Sequence, residues 1–235
     1  YHRKFLNDLI SSQLDMDRAD YLKRDSFYTG VAEGNINSER LITMLNVVND
    51  ELVIEEKGIY SVEKFLTARR LMYWQVYLHK TSLVAEQLLI RLLKRAKELA
   101  SNGTHLEGSQ NLNYFLQNNV IKSALDFKAL ETFAKLDDVD IISAIKTWQT
   151  HDDFVLSNLS QMILERELLK IKFQKKKVKD SNLKKHIKAL KLKHNINDIE
   201  ASYFVFNGDV TNRAYELKKD NIKILLNNGV VKDIV

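Results

Sequence analysis

Apolar residues at Phe5, Leu6, Leu9, Ile10 and Leu14 recur at three- and four-residue intervals, which predicts an amphipathic helix over residues 2–14. A second helix is predicted from Asp17 to Tyr28, stopping near Gly30 as a C-cap. "EGN" at 33–35 reads as a turn, and a third helix follows over 38–48 with Asn37 or Ser38 as its N-cap. "ELVIEEKGIYSV" (51–62) has β-branched residues and then Lys57-Gly58, and reads as a small hairpin turning there. Ser61 then caps a long helical stretch to about Ala100, with Phe65, Met72, Val76, Leu83, Leu88 and Leu92 on its core face. Shorter helices are expected near 109–118, 124–135 and 138–149, and a further one from Asp152 or Asp153 to Glu167.

The pattern changes at Leu168. "LLKIKF" (168–173) reads as a strand. "KKKVKDSNLKKHIKALKLKH" (175–194) is a basic segment with a helical core. "ASYFVFNGDV" and "NIKILLNNGVV" read as strands separated by an Asn/Lys-rich turn. Domains are therefore expected at 1–100, 101–167 and 168–235. No repeat or low-complexity tract interrupts them.

Composition narrows the class. The 235 residues are 45% hydrophobic and 29% charged, which suits a globular protein with a real core. No run of about 18 apolar residues offers a transmembrane span, so no membrane partner is expected. The start carries no secretory pattern. Zero cysteines exclude disulfides and Cys-ligated zinc, and permit a cytoplasmic location. The net charge of +5 and pI near 9.1 fit either a Lys-rich surface or a partner carrying phosphates. The chain opens at Tyr1 rather than Met and ends at Val235 inside an apolar run, so it reads as a fragment of something longer.

The richest chemistry lies in "LDMDRADYLKRDSFYTG", Leu14 to Gly30. On a helix turning about 100° per residue, with Arg18 at zero, Asp17 falls near −100°, Tyr21 near −60° and Asp25 near −20°, while Asp20 falls roughly opposite at about 200°. One sector thus offers a carboxylate, a cation, a phenol and a second carboxylate. That set suits a metal, a phosphate and a hydroxyl together. A solvated face with i,i+4 ion pairs is the competing reading.

"DMDRADYLKRD" resembles the second-Asp helix of HD-superfamily phosphohydrolases, in the branch of SAM-and-HD-domain deoxynucleoside triphosphate triphosphohydrolases and their bacterial relatives. That branch also carries an Arg, a Tyr eight residues later, and His-Lys after one more residue. Here "RRLMYWQVYLHK" supplies Arg69, Tyr77, His79 and Lys80. The resemblance covers residues 1–100 well, continues loosely through "LDDVDIISAIKTW" and is thin beyond 168. It implies a mainly α fold: the C-terminal part of an HD-domain helical bundle, with a small hairpin and a small α+β C-terminal subdomain.

By the same resemblance the parent protein hydrolyses deoxynucleoside triphosphates to deoxynucleoside and triphosphate with a divalent metal (Mg, Mn, Fe or Zn). Asp17 matches a metal ligand, a hard oxygen donor. Arg18, where the family often has Lys, Tyr21 and Arg69 match phosphate contacts. Asp25 matches the acceptor of the sugar 3′-hydroxyl, and Tyr77 the ring against the sugar that selects deoxyribose. Arg40, His79 and Lys80 resemble effector-nucleotide contacts at subunit interfaces, and a homo-oligomer built through the 61–100 helix is expected. Read without the resemblance, Arg69 beside Arg70 is a surface pair, Tyr77 is core packing, and His79-Lys80 is an exposed polar pair.

One departure matters. The family's His and His-Asp metal ligands lie well upstream of the matched Asp, and only sixteen residues precede Asp17 here. The chain alone is therefore expected to be inactive. His151-Asp152 lies far downstream at a helix start, where an N-cap role is expected rather than a metal one. There is no Walker-type loop, no EF-hand and no Ser-His-Asp set. Lysines 175–177 with 184–185 fit a solvated edge better than a nucleic-acid surface, because no stacking aromatics are interleaved. The alternative to the enzyme is a non-catalytic nucleotide- or nucleic-acid-binding oligomerisation module.

Overall fold

The computed structural model describes residues 3–121, 126–176, 178–211 and 221–234. The chain is mainly α with one small sheet, and it divides into two compact units, Tyr1–His79 with Val210–Val235, and Lys80–Asp209.

In the first unit α1 (Lys4–Ser11) leads into α2 (Met16–Thr29). Asp15 caps α2 by accepting from the Arg18 N–H at 2.8 Å, and Gly30 closes it at φ 71°. That left-handed conformation favours glycine. A 3₁₀ turn (Ala32–Gly34) follows, then α3 (Ser38–Thr43) behind the Asn37 cap. The expected helix over 38–48 is shorter than its pattern. Leu45–Val48 leaves it to become β1, paired antiparallel with β2 (Glu51–Glu55). The reversal is Asn49-Asp50, both at positive φ (50° and 62°), the geometry that matches the twist of paired strands. The hairpin therefore turns at 49–50, and Lys57-Gly58 belongs to a 3₁₀ turn (Glu56–Gly58) entering α4 (Ile59–Met72).

β3 (Lys223–Leu225) joins β2 in parallel and β4 (Val231–Asp233) pairs antiparallel with β3, giving the order β1-β2-β3-β4. The C-terminal strands thus complete the sheet begun by the hairpin, and the unit boundaries at 79/80 and 209/210 differ from the expected divisions at 100 and 167. The core of this unit gathers Leu14, Leu22, Leu41, Ile54, Val62, Phe65, Met72 and Ile224.

The long helix expected from Ser61 to Ala100 is interrupted. After α4 one π turn (Tyr73–Tyr77) widens the backbone, with the Leu78 N–H donating to the Tyr73 carbonyl at 2.7 Å, and helix resumes only as α5 (Lys80–Ser101). π turns of this kind often mark functional sites.

The second unit packs α5, α6 (Gln110–Gln117), α7 (Phe127–Ala134), α8 (Asp138–Trp148) and α9 (Phe154–Leu164) around Leu88, Leu92, Leu112, Ile145, Trp148, Leu156 and Leu159. Positions 124 and 125, the expected start of α7, lie outside the described residues. Asp137 and Asp140 form a capping box on α8. α10 (Asp180–His194) and α11 (Asp198–Ser202) complete the unit.

Two expected strands are absent. Residues 168–173 are irregular, with Leu168, Leu169 and Ile171 packed onto helices instead of pairing. In 201–210, α11 ends at Ser202, Tyr203 is buried in the core, and Phe206 lies 3.4 Å beneath the Arg91 guanidinium. Aromatic burial here overrides β-propensity. The Asn/Lys-rich turn expected between the C-terminal strands lies outside the described residues. Among the described residues no helix is long and apolar enough to cross a membrane.

Candidate functional site

The candidate site is built by the first unit alone, from the α1–α2 junction, α2, the end of α4 and the π turn. Arg18 is half-buried. Its guanidinium donates to the Ser12 carbonyl at 2.6 Å and pairs with Asp15, which is 1% exposed. Burial pushes the Asp15 carboxyl up, against the opposing pull of the Arg18 N–H and guanidinium. Asp17 is exposed in the first turn of α2. Asp20 pairs with Arg24 at 2.9 Å in an exposed i,i+4 pair, so the solvated-face reading describes those two residues.

The inner side of α2 is aromatic and charged. The Tyr21 ring meets Tyr77 edge-on, with centroids 5.9 Å apart, and Tyr77 meets Tyr73 in the same way at 5.3 Å. Tyr73 and Tyr77 are the two ends of the π turn. The Tyr77 hydroxyl donates to Asp25 at 2.7 Å. Burial, and then that hydrogen bond, push the Tyr77 phenol well above its ordinary value. Burial also raises the Tyr21 phenol, and the nearby Arg69 cation opposes it.

Arg69 is 4% exposed, so it is not the surface pair that its neighbour Arg70 suggested. Its Nη1 donates to Gln13 Oε1 at 3.3 Å, its guanidinium lies 5.8 Å from the Tyr73 centroid, and its Nε is buried without a partner. An arginine this buried ordinarily pairs with a carboxylate. This one meets a neutral amide and tyrosine rings.

Of the residues singled out in the sequence, Tyr21, Asp25, Arg69 and Tyr77 thus come together, with Arg18 on the same helix held by its Asp15 pair. Arg40 is exposed on α3, where its N–H is used by the Asn37 cap. His79 ends the first unit and Lys80 opens the second, its ammonium 5.8 Å from the Phe173 centroid. Sequence reasoning missed Gln13 and Tyr73. A lone Gln carries no signal by itself, whereas Tyr73 stands four positions before Tyr77, a spacing that puts both on one helix face.

Among the described residues no group of three or more His, Asp or Glu is placed to hold a metal. Asp17 would supply one oxygen, short of the three or more protein ligands a catalytic ion takes. His151 Nδ1 accepts from the Asp153 N–H at 2.9 Å, and Asp153 rather than Asp152 caps α9. Lys175, Lys176, Lys184 and Lys185 are exposed, and Lys177 lies outside the described residues.

Residues 36–113 match the HD associated region, a stretch that contains Arg69 and Tyr77 and begins after α2. The structure is similar to that of a phosphohydrolase from Bacteroides thetaiotaomicron, at 48% identity and a TM-score of 0.91, over 100% of this chain and 59% of that one. The uncharacterized protein YwfO of Bacillus subtilis is 36% identical over 171 residues, 72% of this chain and 37% of that protein. A deoxynucleoside triphosphate triphosphohydrolase SAMHD1 homolog of Dictyostelium discoideum is 27% identical over 108 residues, 45% of this chain and 21% of that protein. These matches support an HD-superfamily phosphohydrolase. The chain spans well under half the length of these curated relatives.

Proposed function

We propose that the protein carrying this chain is a metal-dependent HD phosphohydrolase that cleaves deoxynucleoside triphosphates to deoxynucleoside and triphosphate, and that this chain supplies its phosphate and sugar contacts. One observation carries the reading. Arg69, 4% exposed, keeps a cation beside Tyr21 and Tyr73, whose rings also meet Tyr77, and among the described residues its side-chain acceptor is the neutral Gln13. Burying such a charge is costly unless an anion completes it. A polyphosphate is that anion: a guanidinium offers a planar fork that matches phosphate oxygens. Tyr21 extends the grip along α2, and Arg18, whose charge Asp15 already offsets, contributes only the donors that pair leaves over. Asp25 accepts from a sugar hydroxyl, and the Tyr77 ring limits space at the adjacent carbon. The nucleotide named for the Dictyostelium relative supports the substrate class.

Asp17 is placed to give a metal one oxygen ligand. The described residues do not complete a coordination shell, so no chemical step is assigned to a metal here. Bond cleavage is accordingly assigned to the intact protein and not to this chain.

The test is direct. The intact protein, incubated with each dNTP and Mn²⁺, is expected to release triphosphate, and Asp17→Ala is expected to abolish release. This chain alone is expected to release none. Orthophosphate or pyrophosphate as the product would overturn the reaction. Nucleotide binding without turnover by the intact protein would favour the non-catalytic module.

A further inference from the structure

The α1–α2 junction holds two arginines in opposite ways. Arg18 is neutralised: the Asp15 carboxylate pairs with it and the Ser12 carbonyl accepts a second hydrogen bond. Arg69 is oriented by Gln13, itself 7% exposed, through one hydrogen bond of 3.3 Å. Gln13 and Asp15 lie two positions apart in the same loop, so one short segment presents a carboxylate to one cation and an amide to the other. The neighbouring Asp25 accepts from Tyr77.

We infer that Gln13 is a positioning residue that fixes the Arg69 guanidinium while leaving its charge available to an incoming polyphosphate. An amide oxygen occupies one of the five guanidinium donors and cancels no charge. A carboxylate in the same place would close a buried ion pair and compete with phosphate for the same donors. The unpartnered Arg69 Nε fits a guanidinium whose hydrogen bonding is completed by ligand. This inference rests on the reading of Arg69 as a phosphate contact, and the experiment separates the two.

Binding of inorganic tripolyphosphate is measured by titration calorimetry on the intact protein, with thermal melting alongside, for wild type, Gln13→Glu, Gln13→Met and Arg69→Gln. Gln13→Glu is expected to melt no lower than wild type, yet to bind tripolyphosphate about ten-fold more weakly or worse, as expected when a charge-assisted contact is occupied. Gln13→Met, which loses the hydrogen bond but adds no charge, is expected to lose much less affinity than Gln13→Glu. Arg69→Gln is expected to lose at least as much as Gln13→Glu. Equal losses in the Met and Glu variants would make Gln13 merely structural and overturn the inference. Wild-type binding by Gln13→Glu together with weakened binding by Arg69→Gln would overturn it while leaving Arg69 as the phosphate contact. Wild-type binding by Arg69→Gln would overturn both.

Discussion

The Tyr77 hydroxyl donates to the Asp25 carboxylate at 2.7 Å, joining the end of a π turn to α2 across 52 positions of sequence. Burial and the carboxylate together hold the phenol far above its usual titration range, so it remains a donor at any working pH. The bond ties together two groups that the proposed function assigns to the sugar.

Removing that hydroxyl separates fold from specificity. Tyr77→Phe is expected to cost about 1.5–3 kcal/mol in denaturant unfolding, the range for a hydrogen bond to a charged group. A double-mutant cycle with Asp25→Asn is expected to show coupling of about 0.5–3 kcal/mol, because the residues share one bond. The ring survives in the Phe variant, so discrimination against ribonucleotides is expected to persist there and to relax in Tyr77→Ala. Both comparisons read the ratio of kcat/KM for the deoxy and ribo forms of one nucleotide.

Gly34 lies against both α2 and α4. A Cβ there would lie 2.7 Å from Met72 Sδ and 2.9 Å from Ser26 Cβ. Met72 can move its sulfur, but Ser26 Cβ is fixed to the α2 backbone. Gly34→Ala is expected to destabilise the first unit by about 1–3 kcal/mol, an overpacking cost. Because Met72 directly precedes the π turn, KM for the nucleotide is expected to rise as well. An unchanged melting profile would contradict the close packing.

In the second unit, Arg95 Nη2 pairs with Asp153 at 2.6 Å, and Arg95 Nε donates to its other oxygen at 3.1 Å. Burial alone would raise the Asp153 carboxyl, but Arg95 and the Leu156 N–H outweigh it and hold the carboxyl below its ordinary value. A depressed folded-state value gives stability that is present above the unfolded value near 3.9 and lost as pH falls through the folded one. The unit is therefore expected to weaken below about pH 4. Asp153→Asn retains an N-cap oxygen but leaves Arg95 only its longer pair with Glu98 at 3.4 Å, and is expected to cost about 1.5–3 kcal/mol at pH 7. The gap to wild type should narrow at pH 3. Fluorescence of the buried Trp148, in a Trp74→Phe background, reports this unit.

Much of this was legible in the chain. Asp15 to Gly30 carried its own cap, face and stop, so α2 and the shared sector of Tyr21 and Asp25 could be read from spacing. In sequence the hairpin reads one strand too late, at Lys57-Gly58, because the helical run before Asn49-Asp50 conceals β1. The π turn was hidden, because YWQVY contains neither Gly nor Pro to announce a break. Residues 168–173 and 201–210 had strand-like composition and became packed coil, since their apolar side chains are satisfied by helices. Gln13 was invisible because its role exists only once Arg69, 56 positions later, is buried against it.

The central claim is that α2, Arg69 and Tyr77 form one nucleotide site. Its most direct test is a structure of the intact protein bound to a non-hydrolysable deoxynucleoside triphosphate analogue. The account predicts phosphate oxygens within hydrogen-bonding distance of the Arg69 guanidinium, with the sugar between Tyr77 and Asp25. A nucleotide bound elsewhere, with Arg69 still touching only Gln13 and Tyr73, would contradict it.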